Sequence, residues 1–362
     1  MGSNAKETIK PAQGQKCDKC PKNASITLSY GPHHFCENHF TQFFENRFKK
    51  TIRKYKLFRS GEKILIALSG GKDSVTLLHL LSKFYSKSNH LEALIIDEGV
   101  KGYRENAIKA AIDNCKKANV KYTIISFAKE FGITNDKIMS ILKNNPKLGG
   151  TCAFCGTLRR NIMNKYAKVF KANKLATGHN LDDEVQSFVM NVFNNDFERM
   201  RRMGAAAGAG MVDHAGFVKR IKPLYETPEK EIIAYCAYKN LNHYSQECCP
   251  YSWSAKRNEY REMLNNFENR FPGTMYSILR FDEELLPFVA PKENEKPKMK
   301  LALKKCKKCG EPTEKELCKA CEMIKILKIQ KNSKGIKSSE NKVSKADKSK
   351  TCAQTKGYYG SA

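Results

Sequence analysis

Lys63-Ile64-Leu65-Ile66-Ala67-Leu68-Ser69-Gly70-Gly71-Lys72-Asp73-Ser74 is the stretch on which the reading turns. A β-type apolar run, 63–68, breaks into a glycine turn, and the residues from Ser74 to Phe84 have the spacing of an amphipathic helix. Strand, glycine turn and helix in direct succession make a phosphate cradle. Gly70 and Gly71 let the backbone turn sharply and present bare N–H groups, Ser69 and Ser74 add hydroxyls, and the helix offers its positive amino end to the anion. Two other glycine loops are excluded. A Walker A loop needs G-x4-G-K-[ST], but counting back from Gly71 puts Ile66 where the first glycine belongs, and Asp73 follows Lys72. The dinucleotide fingerprint G-x-G-x-x-G lacks its third glycine.

Outward from this loop the pattern alternates. Leu91–Ile96 reads as the next strand, Arg104–Asn119 as a helix and Tyr122–Phe127 as a third strand. Lys174–Thr177 is a short fourth strand that opens into a helix over Asp182–Phe193. The expected class is α/β, a doubly wound parallel sheet, whose ligands lie at the carboxyl ends of strands. Asp97 ends the second strand, and Gly178-His179-Asn180-Leu181-Asp182-Asp183-Glu184 follows the fourth, so both fall near the cradle. Asn180 or Asp182 is a fair N-cap, which accounts for one acid; three acids beside a phosphate site also suit metal and substrate positioning.

The chain has 362 residues and 41.1 kDa, which fits one large domain with satellites. Lys and Arg number 65 against 37 acids, a net charge of +28. Residues 322–362 carry +7 of it, so the rest is itself basic and suits a polyanion such as nucleic acid. The first residues, MGSNAKETIK, are polar, and no run approaches the ~18 apolar residues of a membrane span. A cytoplasmic protein with no membrane partner is expected.

Fourteen cysteines occur largely in pairs two residues apart. Cys17-x2-Cys20 precedes Cys36-x2-His39, and Cys306-x2-Cys309 precedes Cys318-x2-Cys321. Four soft ligands arriving as two close pairs suit tetrahedral zinc, which replaces a core too small to build from so few residues. His33 and His34 compete with His39 as fourth ligand of the first set. The chain then divides into a zinc module over 1–49, a nucleotide-binding body over 50–287, a linker and second zinc module over 288–330, and a Lys/Ser tail over 331–362 expected to be disordered. Inside the body, Cys152-x2-Cys155 is joined by a third thiol from Cys248 or Cys249. Three cysteines are a poor count for structural zinc but suit a [4Fe–4S] cluster with one iron left open to an external sulfide. A redox pair without iron is the rival, and Cys115, Cys236 and Cys352 read as bystanders.

SGGKDS resembles the PP-loop of the adenylating ATPases that include GMP synthetase, lysidine synthetase and the tRNA thiolases. With GTCAFCGTLRR, GHNLDDE, CPYS and both terminal knuckles, the chain resembles the TtuA/NcsA type of tRNA 2-thiouridine synthetase over roughly Cys17 to Cys321. Cytidine-thiolating relatives share the core and cluster but are not expected to carry both knuckles. The resemblance implies ATP cleaved to AMP and pyrophosphate, with Ala67, Ser69, Gly70, Gly71, Lys72, Asp73, Ser74, Asp97, Gly178 and Asp183 around the nucleotide. It implies that Asp73 helps hold Mg2+ or orient the reacting group, and that Cys249, in the form Cys-Pro-Tyr-Ser, is the third cluster ligand beside Cys152 and Cys155. The 2-oxygen of a tRNA uridine, at position 34 or 54, would be adenylated and then displaced by sulfur from a ubiquitin-like carrier's thiocarboxylate or from free sulfide, in a homodimer.

Arg159, Arg160, Arg199, Arg201 and Arg202, with Arg257, Arg261, Lys19, Lys22, Lys307 and Lys308, are candidates to grip tRNA phosphates, and the segment MGAAAGAG at 203–210 is long enough for a lid. Two other functions compete. An amidotransferase or ligase would leave the cluster cysteines idle, and no glutaminase signature is visible. A zinc-knuckle RNA-binding protein with a decayed nucleotide site conflicts with intact Gly70, Gly71, Lys72 and Asp73.

Overall fold

The computed structural model describes residues 14–31, 33–200, 203–206, 216–245, 249–252, 255–289 and 303–333. The linker stretch 290–302, the Lys/Ser tail beyond Ser333, Cys248, Cys352, Arg201, Arg202 and the far half of the Gly/Ala segment lie outside the described residues, and the first three residues of the expected tail belong to a helix.

One sheet carries the body: β1 (Lys63–Ala67), β2 (His90–Asp97), β3 (Lys121–Ser126), β4 (Lys174–Ala176) and β5 (Lys219–Ile221), in the order β3-β2-β1-β4-β5 and parallel throughout. β1 sits at the centre, so its run KILIA is apolar on both faces, as a doubly covered parallel strand requires. The strand order reverses between β1 and β4, and the loops after these two strands flank the crevice where such sheets bind ligands.

The helices in chain order are α1 (Glu37–Lys54), α2 (Lys72–Tyr85), α3 (Arg104–Lys117), α4 (Phe127–Phe131), α5 (Asn135–Lys143), α6 (Thr151–Val169), α7 (Leu181–Phe193), α8 (Phe197–Met200), α9 (Glu229–Tyr238), α10 (Arg257–Arg270), α11 (Thr274–Val289) and α12 (Lys319–Ser333). Period-two alternation along the strands divides the interior. Ile64, Ile66, Ala93 and Ile95 join α1, α2, α7 and α9 in one core, while Leu65, Leu94, Ile96, Ile125 and Leu175 join α5, α6 and α12 in the other.

Each cysteine module is built onto one of these faces. The first consists of two hairpins, Lys16–Cys17 with Cys20–Asn23 and Ile26–Leu28 with His33–Phe35, leading into α1. Phe40, Phe44, Phe48 and Ile52 recur every three to four residues along α1 and face the first core. Phe44 stacks on Tyr235 of α9 with ring centroids 4.3 Å apart. Arg47 reaches the buried Glu231 of α9 at 2.8 Å, and Tyr30 donates to the same carboxylate. α1 runs unbroken across residues 49–50, so module and body share one helix.

The second module, a short hairpin of Lys304–Lys305 with Pro312–Thr313 followed by α12, lies on the other face. Asn164 of α6 donates to Glu311 at 2.5 Å, and Lys168 pairs with the same acid.

Asp282 of α11 generates a pH prediction. Its Oδ2 is buried without a hydrogen-bond partner among the described residues. Burial, then the charges of Glu184 and Glu283, push its carboxyl up to about 7, while Lys222 opposes them. An unfolded aspartate titrates near 4, so the native state holds this proton more tightly. The associated stability is full below about pH 4 and is lost as pH rises through about 7. Urea melts of the Asp282→Asn variant should show less loss between pH 5 and pH 8 than the wild type; equal loss in both would refute the assignment.

Candidate active site

The glycine loop follows the carboxyl end of β1, where Ala67 is half-buried. Ser74, one turn into α2, accepts from the N–H groups of Ser69 at 3.1 Å and Gly70 at 3.2 Å, and its hydroxyl donates to Gly71 O at 3.0 Å. Ser69 Oγ lies 3.0 Å from Ser74 Oγ and accepts from Gly71 N–H. Both serines thus brace the loop around the N-terminus of α2. Gly70 has φ +88°, and a Cβ there would meet Ala107 O of α3 at 1.9 Å, so the position excludes any side chain. Arg104, opening α3, donates to Ser69 O at 2.8 Å and Ile96 O at 2.5 Å.

The loop after β4 closes against this one. A Cβ on Gly178 would stand 3.0 Å from Asp73 C and Ser74 N. Asn180 caps α7 by accepting from Asp183 N–H, Asp183 returns a bond to Asn180 N–H, and the Asn180 amide donates to Asp73 Oδ1 at 3.1 Å. Burial, reinforced by Asp183 and Glu229, pushes the Asp73 carboxyl up to about 6, while Lys72 and the Asn180 bond oppose this. Lys72 Nζ sits 3.5 Å from Asp73 and 2.7 Å from Glu229.

The three acids of α7 have separate tasks. Asp182 accepts from Glu229 N–H at 2.7 Å, which ties α7 to α9. Glu184 pairs with Lys222 at 2.6 Å. Asp183 is held at 2.7 Å by Arg257, whose Nε also reaches Gln186. Only Asp183 acts on Asp73 electrostatically through its own charge, so the acid cluster expected from the sequence reduces to an Asp73–Asp183 pair plus two structural carboxylates. Asp97 accepts from Gly99 N–H at 2.9 Å and fixes its own strand-end turn. Sequence reasoning missed Arg104 and Glu229; an arginine at the first position of a helix, where the helix end already carries positive charge, was the available signal for the former.

Cys152 and Cys155 lie in the first turn of α6, Cys152 exposed and Cys155 half-buried. Cys152 Sγ is 3.8 Å from Tyr251 O, two residues past Cys249. Burial pushes the Cys155 thiol up to about 12; Glu98, Cys249 and Cys152 add to the rise and Arg159 opposes it, so all three thiols share one neighbourhood. They do not gather within 4.8 Å as the two module quartets do. In a cubane each thiolate binds a different iron, which calls for this wider set. Arg159 lies 3.8 Å from Glu98, and Glu98 is paired with Arg104 at 2.6 Å. Burial and the charges of Arg159 and Arg199 lower the guanidinium of Arg160.

The module quartets are each compact: Cys17, Cys20, Cys36 and His39 in one, Cys306, Cys309, Cys318 and Cys321 in the other, with ligand atoms within 4.8 Å of one another. His39 presents Nδ1 at 3.4 Å from Cys17 Sγ and 3.3 Å from Cys36 Sγ. His34 instead bonds Thr27, and His33 stacks on Phe35. Buried Cys306 accepts from Cys318 N–H, and such backbone donors hold its thiol down at about 6 despite burial; Cys17 is held at about 6 in the same way.

A parallel sheet with this strand order and an SGGKDS loop at its switch point defines a PP-loop nucleotide-binding protein, and the PP-loop domain family matches residues 37–267. The tRNA 2-thiolation protein NcsA of Haloferax volcanii is 33% identical over 82% of this chain and 94% of its own. The tRNA-5-methyluridine(54) 2-sulfurtransferase of Pyrococcus horikoshii is 33% identical over 82% of this chain and 89% of its own. Among solved structures, the U34-tRNA thiolase NcsA of Methanococcus maripaludis with its [4Fe-4S] cluster superposes with a TM-score of 0.72 at 32% identity, covering 87% of this chain and 97% of the other. The chain belongs to the NcsA-type tRNA 2-thiolation family of PP-loop proteins.

Gly70 and Gly71 should respond differently to a methyl group. Gly70→Ala forces the loop off α3 and should cost at least about 2 kcal/mol of stability. Gly71→Ala meets nothing nearer than Ser69 Oγ at 3.6 Å and should cost less than about 1 kcal/mol. Chemical denaturation of the two variants in parallel tests this, and equal losses would contradict it.

Proposed function

We propose that this chain is an ATP-dependent tRNA sulfurtransferase that converts a uridine to 2-thiouridine. One observation carries the reading: a phosphate-binding loop and a three-cysteine set open on the same edge of the sheet, joined through Glu98. Ser69, Gly70, Gly71, Lys72 and Ser74 would cradle the pyrophosphate of ATP, with Ala67, Asp97 and Gly178 beside the rest of the nucleotide. Asp73 and Asp183, two carboxylates of which the second raises the proton affinity of the first, suit Mg2+ between protein and phosphate. ATP bound there is cleaved to AMP and pyrophosphate as the uridine 2-oxygen takes the adenylate, and sulfur then displaces AMP.

Cys152, Cys155 and Cys249 would hold a [4Fe–4S] cluster, which supplies an iron free to bind sulfide. The two module quartets fit zinc, one ion each. Arg159, Arg160 and Arg199 would face tRNA phosphates at this edge; Arg257, bonded to Asp183, has a positioning role instead. A ubiquitin-like thiocarboxylate or free sulfide is the sulfur source we favour. The division into modules at 1–49 and 288–330 around a body at 50–287 remains our reading of the chain's parts.

The exposed Phe193, Phe271 and Phe281, which line an apolar groove between α7 and α11, suit the contact face of a homodimer. Every described cysteine is unpaired, which fits the reducing cytoplasm.

Anaerobically purified protein should contain iron, acid-labile sulfide and about two zinc ions per chain. With tRNA it should release AMP and pyrophosphate and form a thiolated nucleoside. Asp73→Ala should lower thiolation at least about 100-fold with tRNA binding unchanged. Serine at Cys152, Cys155 or Cys249 should remove iron and activity while zinc stays. ADP and free phosphate as main products, or full activity in all three serine variants, would overturn the proposal.

A further inference from the structure

The amino end of the sheet, opposite the glycine loop, carries a second concave surface. A cavity of about 770 Å³ opens between the end of α1, the turn after it, the turn between α2 and β2, and the first residues of β4 and β5. Arg53, Lys56, Arg59, Lys174 and Lys219 line it against a single carboxylate, Glu62.

That carboxylate is already engaged. One oxygen lies 3.5 Å from Lys174 Nζ and the other accepts from Arg59 N–H at 2.8 Å. Arg53, Lys56, Lys219 and the Arg59 guanidinium have no acidic partner among the described residues. Cations near the last turns of α1 and α2 complement those helix ends, an effect confined to about one turn. Lys174 and Lys219 begin strands, so no helix terminus explains them.

The surface is also rigid. Asn89 donates to the carbonyls of Arg59 at 2.6 Å and Glu62 at 3.1 Å, pinning the turn. Phe58 packs edge-on against Tyr85 with centroids 5.0 Å apart, and Lys56 holds φ +47°.

Resting on the reading of the chain as a tRNA-modifying enzyme, we propose that this pocket grips the phosphodiester backbone of the tRNA at a point remote from the reacting uridine. Five-residue β1 separates the two ends of the sheet by roughly 17 Å, more than one nucleotide spans. A ligand that touches both must be an extended polyanion. Fixed cations around a polar mouth read charge and backbone spacing, not base identity.

The test uses the full chain with cluster and zinc. The variant Arg53→Gln/Lys56→Gln/Arg59→Gln/Lys219→Gln should bind full-length tRNA at least tenfold more weakly near 0.1 M salt. Its log Kd against log salt slope should fall by about 2 to 3. The KM for tRNA should rise in parallel, with kcat, the KM for ATP and iron content unchanged.

Lys219→Gln and Arg59→Gln singly should each lower the slope by about one, which covers a quadruple variant that folds poorly. Unchanged tRNA affinity and slope in these variants, beside a wild type that thiolates tRNA, would sink the pocket and leave the enzyme intact. So would lost affinity for a thiocarboxylated carrier protein with tRNA binding preserved. A wild type that neither binds nor thiolates tRNA would instead remove the functional reading beneath it.

Discussion

At Gly70 the loop after β1 passes so near α3 that a Cβ would lie 1.9 Å from the carbonyl oxygen of Ala107. The shape of the nucleotide edge depends on this approach. With the loop against α3, Arg104 reaches Ser69 O and Ile96 O together and locks the end of β2 to the loop. Gly70 O then accepts the Tyr244 N–H at 2.9 Å, and Gly178 comes up behind Asp73 and Ser74. Three segments from distant parts of the chain thus hold six residues in one shape. A cradle fixed by its scaffold need not reorganise as charge develops, which is the condition for electrostatic catalysis.

The modules extend the same scaffold. Each quartet draws its last ligand from the first turn of a helix, His39 on α1 and Cys321 on α12, and both helices bury their next turns in the body. About 25 residues cannot enclose a core of their own. Here the cysteine cage and a shared helix replace it, so α1 transmits the fold of the first module to the sheet face beneath it, with Arg47 and Tyr30 both fastened to Glu231.

What could be read from the sequence was what periodicity and spacing record. β1 carries an unmixed apolar run from Ile64 to Ala67 because both its faces are covered, and the paired cysteines announce their quartets by spacing alone. β5 could not be read: Lys219-Arg220-Ile221 is three residues with two cations, a strand only because β4 lies beside it. The role of the acids in GHNLDDE was equally hidden. Their partners, Glu229, Lys222 and Arg257, stand 38 to 74 residues away along the chain, and only the fold assigns one acid to each. The helical setting of Cys152 and Cys155 was also hidden: both lie inside α6, which runs unbroken from Thr151.

The linkage from α6 to the loop bears on how two chemistries share one edge. Arg159, one turn past Cys155, faces Glu98; Glu98 is paired with Arg104; Arg104 holds Ser69 O. The pair between Glu98 and Arg104 is buried and close at 2.6 Å, while that between Arg159 and Glu98 is longer at 3.8 Å with Arg159 half exposed. Exposure therefore rises from the glycine-loop side toward the thiol side. An adenylation site needs fixed donors, whereas a sulfur site must admit an incoming carrier and a polynucleotide. Burial beside the glycine loop and exposure beside the thiols are in keeping with those two proposed demands.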